Sequence, residues 1–290
     1  MLKGLAITPP VIGRISIGRI VEKNGKRLPE KEDQFTITTQ IQTHDGWVLH
    51  PLDEALRKAI GGKLRSIPVR MLFNDPDLNL RAAYSAFDRD TGRPVCVGNG
   101  ENCRRATGDG IEILPCPSPD ACSFGQKNGC KPYGRLYVVL GEDELGTFVF
   151  RTTSFNSIRT LAARLRYFHA VSGRVLAAMP LELKLRGKST AQSYRTPIYY
   201  VDLAIPSGTS LEEAIATAQD HAHQRSSAGI DQAALDQAAR DGFANGAFEE
   251  SAEDVPAVVE EFYPDSEAGG GGDSLTDKLT KKISQTRGNL

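Results

Sequence analysis

The stretch CPSPDACSFGQKNGCKPYGRLYVVL, residues 116–140, opens as a turn-rich loop and closes as the apolar run of a strand. Its first half carries Cys116, Cys122 and Cys130 among prolines, glycines and polar residues. Such a loop is too polar to make a core of its own. A strand that must be buried therefore follows a loop that must be held some other way, which predicts a sheet protein with an inserted cysteine-rich loop.

All five cysteines, Cys96, Cys103, Cys116, Cys122 and Cys130, fall in the window from residue 96 to residue 130. The N-terminus lacks the continuous apolar core and cleavage site of a signal peptide, and no run of about 18 apolar residues follows. The expected compartment is the cytoplasm, with no membrane contact. Thiols stay reduced there, so disulfides are not expected. The spacing C-x5-C-x7-C, with Cys103 or Cys96 ahead of it, points to a structural zinc ion held by four thiolates. Such a site has no open position for catalysis. The alternative is a set of small buried or free thiols, and the choice between Cys96 and Cys103 as fourth ligand stays open.

The net charge of −1 conceals an asymmetry. Residues 1–205 hold 29 Lys and Arg against 20 Asp and Glu, whereas residues 206–267 hold 2 against 14. Residues 151–200 alone contain nine basic side chains and one acid, Glu182. A basic surface with an acidic arm points to nucleic acid as a partner.

Short strands separated by turn signals dominate the first 150 residues: GRISIGRIV, QFTITTQI, SIPVRMLF, NLRAAYSAF and RPVCV, then a hairpin of LYVVL and TFVFRTT around GEDELG. LDEALRKAIGG is expected to be a short helix ended by glycine. In SFNSIRTLAARLRYFHAVSG, residues Phe155, Ile158, Leu161, Ala162, Leu165 and Phe168 recur at helical spacing, and Phe155 is expected in the core. LELKLRGK and TPIYYVDLAI form two further strands. The predicted fold is α+β: a mostly antiparallel sheet, a basic helix packed on it and an inserted zinc loop, within a domain of residues 1–205. A helical extension follows at 206–245, opened by the capping pair Ser210 and Glu213. Residues 246–274 read as an acidic, glycine-rich flexible linker. Residues 275–290, with Leu275, Leu279 and Ile283 four apart, read as an amphipathic segment that orders on a protein partner.

Other apparent motifs dissolve on inspection. RGKST at 186–190 lacks the earlier glycine of a phosphate-binding loop, since Glu182 occupies that place. Glu182 and Lys184, with Asp75 or Asp77, would suit a metal-dependent nuclease strand, but plain alternation on a half-buried strand explains them better. His221 and His223 stand i and i+2 on a helix and point to different faces. No arrangement for nucleophilic catalysis is legible, and the protein is expected not to be an enzyme. Arg151, Arg159, Arg164, Arg166, Arg174, Lys184, Arg186, Lys188 and Arg195 interleave with Tyr167, Tyr194, Tyr199 and Tyr200, a mixture suited to phosphates and stacked bases. Among these, Arg159, Arg164, Arg166, Lys184, Arg186, Lys188, Tyr194 and Arg195 are the candidate nucleic-acid contacts.

GRISIG, FTITT, IPVRMLF, PVCVGNGENCRR, the 116–140 stretch and FRTTSFNSIRTL together resemble the recombination directionality factor-like family of phages and mobile elements. The resemblance spans roughly residues 4 to 205. It implies a protein that binds a large serine integrase and switches it from integration to excision by contact rather than chemistry. It also implies that Cys116, Cys122 and Cys130 belong to a zinc-stabilised fold. The competing expectation is a single-stranded DNA-binding or annealing protein of phage recombination, with residues 151–200 as its surface.

Overall fold

The computed structural model describes residues 10–23, 26–43, 46–141, 146–189 and 198–245, together with Val258 and Phe262. The strands are β1 (Val11–Lys23), β2 (Lys26–Thr43), β3 (Gly46–Leu49), β4 (Ser66–Val69), β5 (Leu80–Phe87), β6 (Pro94–Gly98), β7 (Asn102–Thr107), β8 (Gly110–Pro115), β9 (Lys131–Val138), β10 (Thr147–Thr152), β11 (Leu181–Lys188) and β12 (Ile198–Ala204). Among the described residues they form two sheets, one ordered β3-β2-β1-β10-β9-β5-β6-β7-β8 and one ordered β12-β11-β4. Neighbours run antiparallel except β1 and β10, which pair in parallel from Val11 opposite Thr147 to Ile15 opposite Phe150. The α+β class and the mostly antiparallel large sheet agree with the sequence reading.

Period-two alternation explains which strand residues go inward. In FTITT, Phe35 and Ile37 are buried; in the β9–β10 hairpin, Leu136, Val138, Phe148 and Phe150 are buried. These meet Ile67, Leu181, Leu183, Val201 and Leu203 of the small sheet in one continuous apolar cluster. The helix α4 (Phe155–Val171) contributes Leu161, Leu165 and Phe168 to that cluster and starts at Ser154, whose hydroxyl accepts the Ser157 amide. Phe155 corrects the sequence reading: it is 53% exposed. It stands at the first helical position, on the margin of the stripe set by Ile158, Leu161 and Leu165.

The helix α1 (Pro51–Ile60) follows its local signals. The His50 side chain accepts the Leu52 amide, Pro51 occupies the first turn, and Gly61 ends the helix with φ of 70°. Its buried Asp53 accepts the Ile37 amide at 2.8 Å and the Arg57 Nε–H at 2.6 Å, fastening the helix to β2.

Beyond Ile205 the chain keeps packing on the domain. Ala214 and Ala218 of α5 (Leu211–Ser227) lie in the main cluster, which small side chains permit because the helix backbone can approach closely. On α6 (Gln232–Asn245), the buried Asp236 accepts the amides of Asn74 and Asp75, just ahead of the short helix α2 (Pro76–Asn79), and Gln232 donates to the Leu72 carbonyl. Of the segment read as a flexible linker, Val258 and Phe262 are helical and buried; its other residues, and the terminal segment 275–290, lie outside the described residues. No helix among the described residues is long and apolar enough to cross a membrane.

A cysteine pocket and a basic face as candidate sites

Antiparallel pairing gathers the cysteines. Gly98 of β6 stands opposite Cys103 of β7, and Cys96, two residues earlier on β6, therefore faces the same side. The turn after β8 returns Cys116 to this point, its amide donating to the Glu101 carbonyl at 2.8 Å. A side chain at position 98 would place its Cβ only 2.6 Å from the Cys116 sulfur and 2.8 Å from the Cys103 Cβ. Gly98 is thus the space that the Cys116 sulfur occupies.

The loop half is built on a second glycine. Cys122 caps the helix α3 (Ser123–Lys127), and its sulfur accepts the Gly125 amide at 3.3 Å. Cys130 donates its amide to the Gly125 carbonyl at 2.8 Å, and a Cβ at 125 would stand 3.1 Å from the Cys130 Cβ and 3.3 Å from that of Cys122. Arg105 bridges the halves: its Nη2 lies 3.7 Å from the Cys122 sulfur and 4.0 Å from the Cys103 sulfur, with the guanidinium stacked on Phe124. Ala86, Val95, Leu114 and Phe124 complete an apolar wall.

Burial pushes the Cys130 thiol up to about 12, with the charges of Cys96, Cys116, Cys122 and Cys103 adding to the shift. Cys103 is pushed up to about 11 by burial and by its neighbour Cys96. Both shifts favour the neutral thiol, so deprotonating these two sulfurs would require a cation beside them. The donor chemistry suits zinc. The arrangement is not that of a formed site, since no three His, Cys, Asp or Glu side chains among the described residues are grouped so as to hold a metal ion.

The predicted basic face divides into two kinds of residue. Arg159, Arg164 and Arg166 are exposed on α4, and Arg186 and Lys188 are exposed at the end of β11. Arg164 and Arg186 converge from helix and strand on the buried Asp202 of β12, at 3.0 and 3.3 Å. Arg166 reaches Asp77 at 3.3 Å, and Lys184 binds Glu182 at 3.0 Å and the Ser207 hydroxyl at 2.8 Å. Arg159 and Lys188 form no ion pair among the described residues, and Tyr167 is 48% exposed on the same helix. Tyr194 and Arg195 lie outside the described residues. The carboxylates of the nuclease alternative are not brought together: Glu182 is tied to Lys184 and Ser66, Asp75 to Arg240, and Asp77 to Arg166.

Sequence reasoning missed Gly98, Gly125, Arg105 and Asp202. The two glycines had a signal, GNG after a strand and C-x-x-G within the loop.

A family model described as Gp3-like, recombination directionality factor-like, matches residues 12–206. The chain belongs to the recombination directionality factor-like family. The match begins in β1 and ends just after β12, so this directionality factor-like region takes in both sheets, α4 and the whole cysteine pocket. α5, α6 and the acidic arm lie beyond it. No curated protein and no solved structure matches the chain.

Proposed function

We propose that this directionality factor-like protein binds a site-specific recombinase of the serine integrase type in the cytoplasm of a bacterial host. There it shifts the recombinase toward one direction of reaction without chemistry of its own. The family match over residues 12–206 carries the reading. The exposed side of α4 supports the contact: Phe155 and Tyr167 are about half exposed on the same helix as Arg159. A partner shifts an equilibrium only by the difference in its affinity for the two states, so the protein must fit one synaptic arrangement of recombinase and DNA better than the other. The cysteine pocket acts as a brace. Cys116, Cys122 and Cys130, with Cys96 or Cys103, would draw closer together around one zinc ion, which when bound would neutralise their thiolates and tie the loop to β6 and β7.

The test is recombination in both directions by a purified serine integrase from the same mobile element, with and without this protein. Excision should depend on the protein, and Arg159→Glu with Tyr167→Ala should abolish that dependence while leaving the integrase active alone. No change in direction with the native protein would overturn the reading.

The exposed aromatic and basic side chains of α4 also favour a second reading, single-stranded DNA binding or annealing. Titration of labelled single and double strands across a salt series, with no other protein present, separates the two. Tight, salt-sensitive, sequence-tolerant binding to single strands selects the second reading; absence of binding selects the first.

A further inference from the structure

Val258 and Phe262 are one helical turn apart and both are buried, although the sequence around them is acidic and lies outside the family match. Their niche is on the large sheet. Phe87 at the end of β5 and Tyr133 on β9 form it, with ring centroids of Phe262 at 4.5 Å from Phe87 and 5.2 Å from Tyr133. Strand alternation puts Tyr133 on the side opposite Leu136 and Val138, away from α4 and the main core. Lys131 marks the rim: its ammonium donates to the Phe262 carbonyl at 3.3 Å and stands 4.7 Å from the Phe262 ring centroid.

We infer that this face of β5 and β9 is a docking surface for an acidic amphipathic helical turn, and that the chain's own turn bearing Val258 and Phe262 is its resident occupant in cis. Three observations favour that occupant. The apolar pair has the four-residue spacing of one helix face. The residues between the two anchors in the sequence include Glu260 and Glu261, so the turn is acidic in composition, while the rim of the niche carries the cation Lys131. The anchors are joined to α6 by an intervening stretch of 12 residues, 246 to 257, enough chain to reach. A second protein presenting the same pattern must displace the arm first, which makes the arm a built-in competitor for this face.

The test uses the full-length protein and a fluorescein-labelled synthetic peptide of residues 250–267, followed by anisotropy. Wild type should bind the peptide weakly because its own arm fills the niche, whereas Val258→Ala with Phe262→Ala, in a cluster separate from the main core, should bind it at least about tenfold more tightly while keeping the wild-type circular dichroism. Adding Lys131→Glu to that variant should weaken binding again. Equal affinity of wild type and the double variant would overturn the inference. A dimer that forms with rising concentration and disappears with Phe262→Ala would overturn the cis assignment in favour of exchange between two copies.

Discussion

Gly98 and Asp33 are two positions where one atom group decides a local outcome. Replacing Gly98 by Ala puts a methyl where the Cys116 sulfur stands, so either that sulfur or β7 must move. Overpacking of this kind costs about 1–3 kcal/mol, and thermal unfolding of Gly98→Ala should begin at lower temperature than in wild type. On the proposed zinc brace, the metal content of the purified protein, measured by atomic emission, should be lower in the same variant and in Cys116→Ser than in wild type. Asp33 is held down to about 2 by hydrogen bonds from Lys63 and Arg65, which join β2 to the segment before β4. Its ordinary value is 3.8, so its contribution is fully present above that value and is lost as the pH falls through about 2. Urea unfolding between pH 4 and 2 should therefore steepen with acid in wild type more than in Asp33→Asn.

Among the elements, α4 depends on β12 through a carboxylate that serves two arginines. Asp202 is buried, and replacing either Arg164 or Arg186 leaves the other in place. Replacing both strands a buried charge, which costs on the order of 3 kcal/mol. The double variant should lose far more stability in denaturant titration than either single change, and a loss of partner or DNA binding in it would report unfolding rather than contact. Arg159 and Lys188 are the better probes of contact. This distinction was not legible in the sequence, where all these residues look alike as basic side chains. What was legible is whatever short-range spacing determines: the helix α1 with its glycine stop, the strand QFTITTQI, and the hairpin of β9 with β10. The β7–β8 hairpin escaped because β7 is largely polar and the alternating Ile111 and Ile113 of β8 face outward, so the apolar pattern there does not report burial. Phe155 was misplaced because periodicity alone assigns it to the buried stripe, while it stands at the first position of α4, on the margin of that stripe.

Across the whole molecule, the helices beyond the family-matching region are part of the packing. Ala214 and Ala218 sit in the main cluster, and Asp236 and Gln232 satisfy the backbone around Leu72 to Asp75. A chain ended at residue 206 should melt several degrees lower, roughly 5 °C or more, and bind more of a hydrophobic dye, because apolar surface is uncovered. The parallel pairing of β1 with β10 sets a schedule for synthesis. The hairpin of β1 and β2 leaves the ribosome early, but the neighbour that closes its inner edge begins at Thr147. At ordinary elongation rates, roughly 5 to 20 residues per second, that edge waits on the order of ten seconds with unpaired backbone groups and the apolar residues Ile15, Phe35 and Ile37 still uncovered. The newborn chain is most vulnerable to pairing with a neighbour during that interval, so a chaperone that shields N-terminal hairpins should raise the yield of soluble protein more than one acting after release.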